Sequence, residues 1–146
     1  MTLKRFRKPI AWALAAVLAL GLAGCSSETS QDTLDELTAA TGRVDVTAKQ
    51  AAELLSSPNI VLFDIRTQPE FEDGHITNAY NVDVNAPTFG QALEGFSKAA
   101  TYMVYGTDKD DTRAAAAGDQ MVAYGIGKVY VITNGYDAWD GDKVTP

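Results

Sequence analysis

Residues 101–117 read TYMVYGTDKDDTRAAAA: an apolar run, a polar loop and an alanine-rich tail in direct succession. Tyr102, Met103, Val104 and Tyr105 show no polar alternation, the pattern of a strand covered on both faces. A polar loop follows over 106–112, and a helix opens at Arg113 with four consecutive alanines, the strongest helix former. In an open α/β sheet, ligands sit in the crevice beyond the carboxyl ends of the strands, and the amides of a loop that feeds a helix can converge on one anion. The loop is therefore the functional question. It contains no Cys, Ser or His, so the usual nucleophiles of covalent catalysis are missing from it.

Outward from this stretch the strand–helix alternation continues. Downstream, the helix is expected to reach Tyr124 and stop at Gly125, and KVYVI at 128–132 is the next strand. Upstream, Thr47 with Gln50 forms a capping box for a helix through Leu55, whose Ala51, Leu54 and Leu55 make an apolar stripe. Pro58 and Asn59 end that helix, and the apolar run from Ile60 to Phe63 is a second buried strand with Asp64 and Arg66 at its carboxyl end. Thr67, with Glu70 three residues on and Pro69 in the first turn, starts a short helix stopped by Gly74. A further helix is expected over 88–99 with Leu93 and Phe96 facing inward. Strands alternating with helices predict an α/β fold: a parallel sheet flanked by helices on both faces.

Several residues of the upstream half fall into a pattern. In VLFDIRTQPEFEDGHITNAYN at 61–81, Asp64 and Arg66 give D-x-R, Glu70 and Phe71 give E-F, Gly74, His75 and Ile76 give G-H-I, and Ala79 and Asn81 give A-x-N. In this order and spacing they resemble the first half of a rhodanese-like domain. ITNGYDAW at 132–139 is similar to the family's L-x-G-G-x-x-x-W, with Gly135 and Trp139 matching and Asn134 in place of the first glycine. Asn is the substitution best able to hold a left-handed turn. The resemblance covers about residues 44–140 and implies the same α/β architecture.

It also implies what the loop does in an active member: a cysteine directly after the strand, in a C-x-x-x-x-R loop, cradles a persulfide. Here the matching position is Gly106, and Arg113, which looks like the closing arginine, lies seven residues on instead of five. Sulfur transfer in this fold needs a thiolate, and glycine offers none. The expectation is an active-site-like loop of Gly106, Thr107, Asp108, Lys109, Asp110, Asp111, Thr112 and Arg113 with no catalytic residue, no cofactor and no metal.

Charge acts in the same direction. Asp108, Asp110 and Asp111 against Lys109 give 106–112 a net −2, and a carboxylate about 4 Å from an anion costs roughly 1 kcal/mol in water. Anion binding is expected to be weak. An EF-hand would need glycine where Arg113 stands and glutamate where Asp119 stands, which leaves a solvated acidic loop as the expectation. The motif residues have plainer roles too. Asp64 and Arg66 could cap the strand and pair with Glu70 or Glu72 at the surface, a contact worth about 0–1 kcal/mol. His75, the sole histidine, is expected to pack and hydrogen-bond, and Trp139 to close the core beneath the last turn.

The amino terminus carries an address. A basic start (KRFRK), an apolar run over 10–22 and small residues after it are the three parts of an export signal, and the run is too short for a comfortable membrane span. Leu22, Ala23, Gly24 and Cys25 resemble the lipobox of bacterial lipoproteins, in which the cysteine is acylated and becomes the first mature residue. The alternative is an ordinary signal with an incidental cysteine. Lipidation makes 1–24 a signal peptide, 25–43 a lipidated terminus and polar tether with at most a short helix capped by Thr33 and Glu36, and 44–146 the rhodanese-like domain. Two or three acyl chains on Cys25 hold a protein at a membrane without a spanning helix, here the extracytoplasmic side of the cell membrane. Cys25 is the only cysteine in the chain, so no disulfide forms within it.

At 146 residues and 46% hydrophobic composition the chain has room for one domain with a core. Removing Lys4, Arg5, Arg7 and Lys8 leaves eight cations against nineteen acids, a formal charge of −11. Such a surface disfavours nucleic acid and anionic lipid as direct partners. The expected function is a membrane-tethered, catalytically inactive rhodanese-like module that binds a protein or small-molecule partner; the alternatives are a sulfurtransferase that uses a partner's thiol and a structural component of the cell envelope.

Overall fold

Met103, Val104 and Tyr105 have no measurable exposure, so the strand expected there is covered on both faces. The computed structural model describes residues 29–146; the signal-like segment, the lipobox-like run and Cys25 lie outside the described residues. The elements in chain order are α1 (Thr29–Ala39), β1 (Gly42–Val46), α2 (Ala48–Leu54), β2 (Ile60–Asp64), α3 (Gln68–Glu72), β3 (His75–Ile76), β4 (Tyr80–Asn81), α4 (Phe89–Glu94), β5 (Thr101–Tyr105), α5 (Arg113–Ala123), β6 (Lys128–Ile132) and β7 (Lys143–Val144). Five strands form one sheet in the order β1-β6-β5-β2-β4, with every pairing parallel. β3 and β7 make a separate antiparallel pair. Because β5 is central, the loop that leaves it emerges in the middle of the carboxyl edge of the sheet.

Alternation along each strand divides the core in two. Tyr102 and Val104 of β5, Val129 and Val131 of β6 and Phe63 of β2 face Phe89 and Leu93 of α4 and Ala114, Ala117 and Met121 of α5. Met103 and Tyr105, Tyr130 and Ile132, and Leu62 face Ala48, Ala51 and Leu54 of α2. Helices on both faces are what long apolar strands require, since neither face can be left to water. The Thr47–Gln50 capping box forms as the sequence indicates: the Gln50 N–H donates to Thr47 Oγ1 and the Thr47 N–H to Gln50 Oε1, at 3.3 and 2.9 Å.

The structure departs from the sequence expectation in four places. The stretch expected to be a tether up to residue 43 is folded from Thr29: Leu34 and Leu37 of α1 pack on the second core, the Tyr130 hydroxyl donates to Leu37 O at 3.1 Å, and the Lys128 ammonium donates to Thr38 O. Thr33, expected at the cap of a short helix, lies inside α1. Gly42 and Arg43 belong to β1, an edge strand whose Arg43 is held by Asp45 and Asp119 at 2.8 and 2.9 Å. Finally, α4 stops at Glu94 instead of reaching residue 99, because the chain turns at Gly95 and lays Phe96 on the Phe63 ring, 4.8 Å between centroids. The two-residue strands β3, β4 and β7 are too short to leave a periodic signature.

Gly118 sits where α5 crosses β6. A Cβ there would lie 2.8 Å from a Val131 methyl. Replacing a helical glycine by alanine ordinarily stabilises a helix by up to about 1 kcal/mol, but overpacking a core costs about 1–3 kcal/mol. Gly118→Ala is therefore expected to lower stability by roughly 1 kcal/mol, read from urea unfolding. A gain in stability would mean that α5 has room to retreat from the sheet.

Candidate functional site

Two hydrogen-bonded groups stand at the carboxyl edge of the sheet. The first lies at the end of β2, where Asp64 and Arg66 are 0% and 4% exposed and bond to each other: Arg66 Nε to Asp64 Oδ1 at 2.9 Å and Nη2 to Oδ2 at 2.5 Å. Arg66 Nη2 also donates to Gly74 O at 2.7 Å, and the guanidinium lies over the Tyr136 ring at 4.4 Å. The expected surface pairing of this couple with Glu70 or Glu72 is thus corrected: the two charges satisfy each other inside the protein. Burial pulls the Arg66 pKa down, yet the hydrogen bonds and charge of Asp64 outweigh it and leave the group above its ordinary value. Asn81 Nδ2 donates to Asp64 O and Arg66 O at 3.1 and 2.9 Å, and the Ile76 N–H donates to the Tyr105 hydroxyl at 3.0 Å. Burial, then the charge of Asp64, raises the Tyr105 phenol above its usual value.

The remaining motif residues are also built into the scaffold. His75 stacks on Phe71, 3.7 Å between centroids, and its Nδ1 is hydrogen-bonded to Phe71 O at 3.0 Å. Trp139, 8% exposed, is buried in the second core. Asn134 does not take the left-handed conformation expected of it; among the described residues Asn78 is the only non-glycine with positive φ. Instead Asn134 Oδ1 accepts the Ala48 N–H at 2.8 Å and so satisfies the first turn of α2.

The second group is the loop after β5. Gly106 O and Thr107 O accept the N–H groups of Tyr136 and Asp137, each at 2.9 Å, so the turn after β6 backs the loop. Gly135 has φ +62°, and a Cβ there would lie 2.6 Å from the Thr107 carbonyl, which is why glycine holds this position. At the other end, the Asp111 side chain, 8% exposed, turns back into the loop. Its Oδ2 accepts the Thr107 N–H at 2.8 Å, and its Oδ1 accepts the Arg113 N–H and Nε at 3.0 and 2.9 Å. Burial opposes its ionisation, but these hydrogen bonds together hold the carboxyl below its usual value.

Arg113 joins the loop to α3. Its Nη1 and Nη2 donate to Glu70 Oε2 and Oε1 at 3.0 and 2.8 Å, and Nη2 also donates to Asp111 Oδ2 at 2.9 Å. Glu70 in addition accepts the Thr67 N–H at 2.9 Å. The hydrogen bonds from Arg113 are the main reason that the Glu70 carboxyl titrates well below the carboxylate range, with burial acting against them.

The structure thus brings Gly106, Thr107, Asp111 and Arg113 together, adds Glu70, and leaves Lys109, Asp110 and Thr112 on the outer face. The Lys109–Asp110 contact is 75% and 80% exposed and adds little stability. Asp108 Oδ1 accepts the N–H groups of Asp110 and Asp111 at 2.8 and 3.0 Å. The loop expected to be wholly solvated is therefore half internal, since Asp111 is withdrawn from water. No group of three or more His, Cys, Asp or Glu side chains suited to a metal occurs among the described residues. None of the described helices is long and apolar enough to cross a membrane.

A parallel sheet with this order, and a loop seated beside its central strand, can be set against known proteins. The family model described as the rhodanese-like domain matches residues 47–142. The chain belongs to the rhodanese-like family. Among curated relatives, a thiosulfate sulfurtransferase GlpE of Pseudomonas fluorescens is 33% identical over 60% of this chain and 77% of the relative. That of Tolumonas auensis is 28% identical over 64% and 85%. Among solved structures, a rhodanese-like domain protein of Staphylococcus aureus has a TM-score of 0.59 at 27% identity, covering 70% of this chain and 97% of that one. The Alr3790 protein of Anabaena has a TM-score of 0.60 at 21% identity, over 70% and 82%. The rhodanese-like fold is therefore shown by sequence and by shape.

Within this rhodanese-like domain the two carboxylate–arginine groups have different consequences. Asp64→Ala leaves Arg66 charged, buried and unpaired, and is expected to cost about 3–5 kcal/mol in urea unfolding. A loss under about 1 kcal/mol would show that Arg66 reaches water when Asp64 is gone. For Glu70 the folded carboxyl is depressed, so its contribution is complete above the unfolded value of about 4.3 and is lost as pH falls through the lower folded value. Glu70→Gln is expected to be less stable than the parent at neutral pH and to lose less stability on acidification to about pH 3. Parallel curves for the two proteins would count against the Arg113 contact.

Proposed function

We propose that this chain is a bacterial lipoprotein, tethered through lipid on Cys25 to the extracytoplasmic side of the cell membrane, whose rhodanese-like domain binds a protein or small-molecule partner without transferring sulfur itself. Gly106 carries this proposal. It is buried, directly follows the central strand, and stands where the family resemblance places the nucleophile. Glycine has no side-chain atom on which a persulfide could form. The one cysteine of the chain is Cys25, the residue that the lipobox resemblance assigns to acylation.

The outer face of the loop is the contact surface in this proposal, presented by a rigid sheet as binding loops commonly are. Asp110 is the exposed acid on that face and Asp108, whose Oδ1 accepts two loop amides, is partly exposed; Asp111, included in the sequence-based surface, is engaged with Thr107 and Arg113. A second role, sulfur transfer with a thiol supplied by a partner, is favoured by the relatives named thiosulfate sulfurtransferase.

Thiosulfate and cyanide supplied to the Cys25→Ala chain, which holds no thiol, are expected to yield no thiocyanate. Turnover by that protein after purification to constant activity would overturn the binding-module proposal, and turnover that appears only on adding a thiol-bearing protein would favour the second role. Incorporation of a labelled fatty acid in cells is expected for the parent and lost in Cys25→Ala; equal labelling would remove the lipid anchor.

A further inference from the structure

We infer that the loop between β5 and α5 is closed by its own anion: the Asp111 carboxylate fills the space beside residue 106 and takes up the donors that would otherwise face a small oxyanion in the crevice. Three donors of two kinds converge on this one carboxylate. The Thr107 N–H reaches Oδ2 at 2.8 Å, the Arg113 N–H reaches Oδ1 at 3.0 Å, and the Arg113 guanidinium bonds both oxygens. Amides from either end of a loop plus an arginine fork are the donor set that commonly receives an oxyanion. Here the side chain that receives them belongs to the loop.

The second observation is steric. A Cβ built on Gly106 would lie 2.5 Å from Asp111 Oδ2 and 2.8 Å from its Cγ, closer than nonbonded atoms approach. A side chain at 106 and the seated Asp111 therefore exclude one another. Relief of that contact requires the Asp111 side chain to leave its donors, because the backbone of the loop is held. The Gly106 and Thr107 carbonyls are tied to Tyr136 and Asp137, Gly135 lies directly against Thr107, and Glu70 holds the other side of the Arg113 guanidinium. An occupant of this crevice meets the outer face of the loop, while the inner cradle is already filled. This goes beyond the proposed function and does not depend on it, because the contact stands whether or not the protein transfers sulfur.

The test is a double-mutant cycle on the full chain in detergent, read as urea midpoints. Gly106→Ala is expected to lower the midpoint in the parent and to lower it by less than about half as much in Asp111→Ala, because the group it strikes has been removed. Equal costs in the two backgrounds would overturn the inference. A second measurement needs no variant. Sodium sulfate titrated into the parent at constant ionic strength is expected to leave the Thr107 and Arg113 amide NMR signals in place, since both donors are engaged; saturable movement of those signals would show an open cradle and overturn it as well. Sulfur transfer is not measured in either experiment, so failure here leaves the binding-module proposal to its own assay.

Discussion

Arg113 is shared between two carboxylates, Glu70 from α3 and Asp111 from the loop that precedes it, and this sharing fixes the loop at the centre of the sheet. One guanidinium presents five donors in a planar fork, enough to bind two carboxylates at once. Without Glu70, Arg113 would answer only to its own loop, and without Asp111 the Thr107 amide would have no acceptor there. The contact therefore ties the turn out of β5 and the start of α5, which are neighbours in the chain, to α3, forty-three residues earlier at Glu70. It sits at the rim of the core and is partly open to solvent, so its worth lies in geometry more than in stability.

Beneath it, the parallel sheet sets where such a contact can form. All five strands run the same way, so every strand-to-helix turn opens on one edge and every return on the other. The buried Asp64–Arg66 pair occupies that same edge at β2. Its role is to close the turn from β2 into α3 and to bind Gly74 and, through the peptide carbonyls of the pair, Asn81. Residues that look chemically eloquent in the sequence, an aspartate, an arginine, a histidine and an asparagine in fixed order, are thus spent on backbone and ring contacts. Family motifs here describe how the edge of the sheet is built.

The Asp64–Arg66 contacts lie on β2, the turn after it and β4, whereas the crevice is lined by 106–113, held from outside by Glu70 of α3 and by the turn after β6. The loop here is two residues longer than the C-x-x-x-x-R spacing, and Asp111 falls five residues after Gly106, where that spacing would place the arginine. The arginine is displaced to 113, and the acid in its place turns inward to meet it.

The sequence alone determined the sheet and its direction. Apolar runs at 60–63, 102–105 and 128–132, each separated by a helical period and a capping signal, leave little choice but parallel strands covered on both faces. It also determined that the loop holds no thiol, which is a matter of residue identity. Local signals served where partners are close in the chain, as for Thr47 with Gln50. They misled where partners are far apart: Glu70 read as a cap for α3 but is also gripped by Arg113, forty-three residues on, and Asn134 read as a turn residue but satisfies α2. Only the tertiary structure decided that Asp64 and Arg66 neutralise each other inside the protein, that α1 lies on the second core, and that Asp111 points into its loop instead of toward water. A carboxylate is attracted to whichever donors the fold brings within about 3 Å, and a sequence lists donors without saying which of them will meet.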